Sequence, residues 1–290
     1  MLTIYVAIIL GLLFPYGSVM KPYLNYILSV LVFFSFIKVE FKLSTFLRKE
    51  LLIIALVLWG IIPFIVFWAT YYLNPEVHLG LFLLSATPPA IASVVVISLI
   101  KGDLGLGIVT SVLFNVLSPL SYSALLSIYF SQSGVDLPIQ KIFISLFLII
   151  FIPLTLIFLI QKYAKNLEKT LVRVSSKASI WIWSLFILFA VSGSRDGFIH
   201  STWSNIALNF AMVFSLAVFN FTMGYFTFKD TFRRKTSMAC IGQKNTLLAV
   251  GLASQFFPKV TILVVLYIIS HHLINGVILG VFSEKKPAED

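Results

Sequence analysis

The stretch Ser85-Ala86-Thr87-Pro88-Pro89-Ala90-Ile91-Ala92-Ser93 lies in the middle of an apolar segment covering 78–100. Proline lacks an N–H and clashes with the preceding helical turn, so two in succession break a helix here. A plain proline kink is the alternative. A second stretch, Cys240-Ile241-Gly242-Gln243-Lys244-Asn245-Thr246, lies inside another apolar segment, 236–256. It sets four consecutive polar or charged side chains beside a glycine. In a bilayer such a run is costly unless it lines a cavity. If 236–246 were instead a loop, the remaining 247–257 would cover only about half a membrane. Both segments therefore read as discontinuous membrane helices. The backbone groups freed at each break must be satisfied by protein, water or ligand.

The surrounding composition fits that setting. Of 290 residues 59% are hydrophobic and 11% charged, against about 25% charged in a soluble domain. This excludes an ordinary soluble enzyme. It also excludes a nucleic-acid binder, despite a net charge of +10. Long unbroken apolar runs argue against an outer-membrane barrel. The single cysteine, Cys240, excludes a disulfide framework and a Cys-rich metal site. The N-terminal run 1–14 has no basic n-region and no small-residue cleavage site, so it reads as a first span rather than a signal peptide.

Cutting at charge and turn clusters gives ten spans: 2–17, 22–39, 51–73, 78–100, 104–130, 139–161, 178–194, 203–228, 236–256 and 260–282. The connections are short, so no soluble domain is expected. With the N-terminus inside, sixteen Lys and Arg fall on the cytoplasmic side. Only Lys21, Lys141, Arg195 and Lys259 fall on the other. That asymmetry orients the chain with both termini cytoplasmic, and a bacterial inner (plasma) membrane is the expected location. The longest connection, 162–177, is expected as a cytoplasmic loop separating 1–161 (the first five spans plus span 6) from 178–282 (spans 7–10). Six spans precede it and four follow, so two halves of five meet between spans 5 and 6. A five-span half must reverse direction when repeated, which makes any repeat inverted. Breaks in spans 4 and 9, at corresponding places in the two halves, are the sequence sign of a transporter binding site.

All eleven acidic residues fall in loops, at span ends or on the tail. The ionisable groups left inside the spans are Lys244, His271 and His272. Lys244 has no carboxylate near it in sequence, so its expected partners are carbonyls at the breaks or a substrate anion. The alternative is a lysine snorkelling from a misplaced boundary. Adjacent histidines point about 100° apart on a helix, so both cannot face one cavity. No ligand spacing supports a metal site. There is no nucleotide-binding loop and no hydrolase signature, so no cofactor is expected and the chain is not read as an enzyme.

The residues from Thr87 through Lys101-Gly102-Asp103 to Leu117-Ser118-Pro119-Leu120 resemble the bile acid/sodium symporter (SBF-like) superfamily. In that family a C-P-G-G-T-A-S-N-V-V span is followed by a K-G-D turn and a span ending L-L-A-P-L. Residues 241–250 resemble its E-x-G-M-Q-N-S-x-L-A-x, and His272 with Gly276 match its H-N-x-x-G. The resemblance implies an all-α membrane fold of ten helices in two inverted five-helix repeats, with spans 4 and 9 crossing at their breaks. It implies a core domain of spans 3–5 and 8–10 (51–130 and 203–282) and a panel domain of spans 1, 2, 6 and 7 (2–39 and 139–194). A small organic anion would bind between them and cross by alternating access. The implied substrate and crossover residues are Thr87, Pro88, Pro89, Ser93, Gly242, Gln243, Lys244, Asn245, Thr246 and His272.

The departures concern ions. The family's acidic sodium ligand falls on Cys240 and its Gln on Lys244; Val94 and Gly107 replace two further ligands. Ser93 and Ser111 keep hydroxyls. Ser93, Ser111, Cys240 and Lys244 are thus the residual ion-site positions. Two cations about 4 Å apart repel by roughly 4 kcal/mol at an effective dielectric of about 20. Ordinary sodium coupling is therefore not expected, and the Lys244 ammonium would stand in sodium's place, coupling transport to a proton or to nothing. The arsenite-carrying branch has a Cys where this chain has Thr87, so that chemistry is not expected either. The expected partners are the organic anion and the lipid bilayer, with a homodimer open. The alternative function is a receptor or regulatory membrane protein that keeps the fold without transport.

Overall fold

A computed structural model describes residues 2–14, 19, 23–38, 48–131 and 138–282. Among these the chain forms helices α1 (Leu2–Leu13), α2 (Leu24–Phe36), α3 (Lys49–Thr70), α4 (Pro75–Ala86) and α5 (Ser93–Leu99). They are followed by α6 (Leu104–Ser131), α7 (Ile139–Tyr163), α8 (Lys165–Gly193), α9 (Arg195–Ile199) and α10 (Trp203–Phe226). The last three are α11 (Thr231–Gly242), α12 (Thr246–Phe256) and α13 (Thr261–Phe282). The described residues contain no strand, only one isolated bridge between Pro89 and Lys244.

Among the described residues five helices are long and apolar enough to cross a membrane alone: α3, α6, α7, α10 and the run Pro258–Phe282. A sixth is added if Lys165–Ser175 and Lys177–Gly193, bent by 59°, count as one span. The other expected spans fall on shorter helices. Segments 78–100 and 236–256 are each divided at their polar or proline-containing centres, into α4 with α5 and α11 with α12. The ends of 2–17 and 22–39 lie outside the described residues, as do Lys21, Lys42, Lys285 and Lys286, four of the residues used for orientation.

The segment 162–177, expected as a loop, is helical on both sides of Ala164. It contains no Gly or Pro, and Lys, Glu, Leu and Arg hold a helix well without tertiary support. Polarity marked it as a connection but did not make it irregular.

Local chemistry sets the helix ends. Asn74 caps α4 by accepting the Glu76 N–H at 2.9 Å, with Pro75 in the first turn, where its missing N–H does no harm. Thr202, Asp230 and Asn245 cap α10, α11 and α12 in the same way. In α3 the turn Leu56–Ile61 is π-helical and is followed by Pro63. Pro119 within α6 leaves the Asn115 carbonyl without its helical donor, and the Ser118 hydroxyl takes it at 2.7 Å.

Helices α1 and α2 pack on α7 and α8, whereas α10, α11 and α13 pack together with α5 and α6 resting on α11. The two sets meet through α6 on α7, and through α12 and α13 on α2, α7 and α8. At that contact Asn25 donates to Gln255 at 2.8 Å and to Ser145 at 3.2 Å, and Ser145 donates to Gln255 at 3.2 Å. Gly251 lets α12 approach α2 closely, since a Cβ there would lie 2.6 Å from Leu28 Cδ2.

An ionic network ties α3, α6 and α11 at one end of the bundle. Arg48 pairs with Asp103 at 2.7 Å and with Glu50 at 3.7 Å, and Arg233 pairs with Glu50 at 3.1 Å. Asp103 also caps α6 by accepting the Leu106 N–H at 2.9 Å, and its carbonyl receives the Thr236 hydroxyl at 3.3 Å. Burial alone would push the Asp103 carboxyl up. The Arg48 and Leu106 hydrogen bonds and the nearby guanidinium charges outweigh it and hold the group below its usual range. A carboxyl depressed in the folded state stabilises above the unfolded value and loses that contribution as the pH falls through the folded one. Asp103→Ala is therefore expected to cost about 1–2 kcal/mol at neutral pH, with Asp103→Asn, which keeps the cap, recovering roughly half. The difference from the native chain narrows below about pH 4. Thermal unfolding in detergent at the two pH values checks this.

Candidate functional site at the crossing of two broken helices

The Thr-Pro-Pro sequence ends α4 at Ala86, and the chain runs extended through Thr87 before α5 starts at Ser93. The second break runs from Gln243 to Asn245, between α11 and α12. The two unwound segments cross antiparallel and exchange backbone hydrogen bonds. Ala90 N–H donates to the Gln243 carbonyl at 2.7 Å, and Asn245 N–H donates to the Pro88 carbonyl at 2.7 Å. Each break thus supplies part of what the other lacks.

The C-terminal end of α4 is completed by side chains. The last four carbonyls of a helix have no partner within it. Here the Leu83 carbonyl accepts the Thr87 hydroxyl at 2.9 Å, and the Leu84 carbonyl accepts the Thr87 N–H at 3.3 Å. The Ser85 carbonyl accepts Lys244 Nζ at 2.9 Å, and the Ala86 carbonyl accepts the Trp59 indole N–H at 3.1 Å. Lys244 is fully buried, and its nitrogen sits at the negative end of the α4 dipole. Trp59 comes from the π-helical turn of α3 and stacks on Phe114 at 4.7 Å. The Tyr122 hydroxyl donates to Thr87 Oγ1 at 2.6 Å.

Asn115 of α6 joins both breaks. Its amide donates to the Pro89 carbonyl at 2.8 Å and to the Ser111 carbonyl at 2.7 Å, while its oxygen accepts the Asn245 amide at 2.6 Å. At the end of α11 the Tyr267 hydroxyl donates to the Gly242 carbonyl at 2.9 Å and accepts from Asn220 at 3.0 Å. Gln243 donates to Asn275 at 3.0 Å. Asn245 Oδ1 accepts the Leu248 N–H at 3.3 Å, which caps α12, and Thr246 begins that helix, buried.

Of the residues expected at the site, Thr87, Pro88, Pro89, Gly242, Gln243, Lys244, Asn245 and Thr246 meet at or border this crossing. Ser93, at the start of α5, faces Ser111 with the two hydroxyls 3.1 Å apart, and the Cys240 thiol lies beside them and beside Thr110. Three of the four residual ion-site positions therefore cluster, and the contact made by the Lys244 nitrogen is with Ser85. His272 faces elsewhere: its ring lies 6.3 Å from Trp183 of α8, whereas the buried His271 turns toward Tyr267 at 5.7 Å. Trp59, Asn115, Tyr122, Asn220, Tyr267 and Asn275 were not read as site residues. Each is a polar or amphipathic side chain in an apolar span, and that was the available signal.

The molecule is thus an integral membrane protein built around two crossed, interrupted helices. The chain belongs to the SBF-like CPA transporter family, whose profile matches residues 1–284. This agrees with the resemblance carried by the Thr87–Leu120 and 241–250 motifs. No individual curated protein matches the chain in sequence.

Gly242 is required by close packing: a Cβ there would lie 2.3 Å from two atoms of the Phe221 ring. Gly242→Ala is expected to cost about 1–3 kcal/mol, as overpacking does. A Phe221→Leu change in the same chain is expected to restore part of that loss, read as thermal stability of the single and double variants.

Proposed function

We propose that this protein is a secondary transporter that moves a small organic anion by alternating access, with Lys244 in the place a sodium ion would take. The observation that carries this is the buried Lys244 nitrogen at the crossing, bonded to the Ser85 carbonyl. No described carboxylate pairs with it. A protonated lysine donates three hydrogen bonds, and only one acceptor from the protein is present among the described residues. An organic carboxylate or sulfonate would supply the missing charge.

In this reading the chain has ten spans in two inverted repeats, with α1, α2, α7 and α8 as the panel and α3–α6 with α10–α13 as the core. Substrate binds between them, close to the crossing. Both termini are cytoplasmic. The site around Ser93, Ser111 and Cys240 offers hydroxyls and a thiol but no carboxylate, which supports transport without ordinary sodium coupling. Transport is then coupled to a proton or to nothing.

The test is uptake into proteoliposomes across a panel of labelled organic anions, with sodium and pH gradients varied separately. Saturable uptake indifferent to sodium is expected. Lys244→Ala should lower it at least about tenfold, the effect of losing a buried hydrogen bond to a charged group. Sodium-dependent uptake, or native rates in that variant, overturns the role given to Lys244. Absence of flux for every anion, in a folded protein, favours a receptor or regulatory function instead.

Alternating access also requires contacts between panel and core to break. Asn25 and Ser145 on the panel meet Gln255 on the core, and this triad would hold one side of the cleft shut. Joining Asn25→Cys to Gln255→Cys with a short thiol cross-linker is expected to stop uptake, and reversal of the link to restore it. Unchanged uptake by the linked protein would mean that this contact does not open.

A further inference from the structure

At the end of the bundle that carries Arg233, Arg234 and Lys235, an apolar groove of about 270 Å³ runs between α10, α11 and α13. Phe221, Tyr225, Met238, Ile274, Ile278 and Phe282 line it. Two of these rings carry cations at the rim. The Arg234 guanidinium lies over Tyr225, 4.7 Å from the ring centroid, and Lys235 Nζ lies 5.7 Å from the centroid of Phe282. Both are half-buried.

Among the described residues no carboxylate meets the charges of these two residues. Their neighbour Arg233 pairs with Glu50, and Asp230 is used in capping α11. Arg234 donates through Nε to the Phe228 carbonyl at 3.2 Å and through Nη1 to the Tyr225 hydroxyl at 3.5 Å. Its Nη2 group has no acceptor among the described residues, and neither Arg234 nor Lys235 forms an ion pair there. An aromatic face orients a cation without neutralising it. The guanidinium is therefore held in place with three of its five donors open among the described residues, which suits an anionic phosphate.

We propose that this groove binds an anionic phospholipid, with an acyl chain along the apolar lining and the phosphate between Arg234 and Lys235. Basic residues at the end of membrane helices attract anionic headgroups, and here the groove beneath them receives the tail of the same molecule. Neither this groove nor the larger one of about 480 Å³ between α3, α4 and α10 has a charged side chain in its lining; what distinguishes the smaller is that cations sit over two of its rings. The lipid would also reach the crossing. Phe221, which lines the groove, packs directly on Gly242 at the second break. An acyl chain against the other side of that ring would support the unwound segment.

The full chain, purified and delipidated, is titrated with phosphatidylglycerol and with phosphatidylcholine of the same acyl chains, with bound lipid counted by native mass spectrometry. Glycerol phosphate serves as the headgroup alone. The native chain is expected to retain phosphatidylglycerol over phosphatidylcholine. R234Q/K235Q should weaken phosphatidylglycerol about thirtyfold, to the level of phosphatidylcholine, the effect of removing two basic residues at an anionic surface. Thr222→Trp, which fills the groove and leaves both cations, should weaken both lipids. Equal retention of the two lipids by the native chain overturns the proposal without recourse to any variant. Undiminished phosphatidylglycerol binding in a folded R234Q/K235Q chain overturns it as well. Glycerol phosphate binding as tightly as phosphatidylglycerol would assign a phosphate site in which the groove has no part.

Discussion

The backbone of two helices interrupted in an apolar interior has to be satisfied without water, and most of the polar architecture follows from that. A polar group left unpaired in such a medium costs several kcal/mol. The end of α4 exposes four carbonyls, and each has its own donor: the Thr87 hydroxyl, the Thr87 N–H, Lys244 Nζ and the Trp59 indole. Two of these donors come from beside the break itself. The other two come from the opposite break and from the π-helical turn of α3. Neither broken helix could keep this geometry in the absence of its neighbours.

The same constraint accounts for the polar residues within α6. Asn115 must reach the Pro89 carbonyl and the Asn245 side chain together, and it does so one turn before Pro119. The proline removes a helical donor, and Ser118 restores it locally. A side chain that bridges two breaks is worth more than its separate bonds, because each bond fixes the geometry of the other. On the opposite side, Asn220 and Tyr267 do for the end of α11 what Thr87 and Trp59 do for α4, with fewer groups.

How much of this was legible in the sequence depended on whether the signal was local. Pro88-Pro89 and the polar run after Gly242 place the breaks because proline chemistry and the cost of polar groups in lipid act on neighbouring residues. The helix caps at Asn74, Asp230 and Asn245 are local in the same sense. That the two breaks cross was legible only through the family resemblance, and that they pair backbone to backbone was not legible. That Lys244 would find a carbonyl at a break was legible from the lack of any carboxylate near it; that the carbonyl is that of Ser85 was not, because 159 residues separate them and a carbonyl carries no side-chain signature. Asn115 was passed over for a related reason: a single Asn in an apolar span announces a polar partner but not which one. The segment 162–177 shows the opposite failure, since polarity separates a span from its surroundings and leaves helicity undecided.

A lysine and a bound metal ion satisfy the crossing in different ways. An ion gathers several oxygens around a point, and it leaves when they separate. The Lys244 nitrogen is tethered, reaches one carbonyl of the opposite break, and can donate that bond as an ammonium or, more weakly, as a neutral amine. Its stem lies buried between the two unwound segments whichever form it takes. The bond therefore joins the two halves of the chain without needing an ion from either side of the membrane. What an ion would have contributed beyond that bond is a positive charge that comes and goes. On Lys244 the gain and loss of a proton would supply the same change, and without it the crossing is a fixed joint.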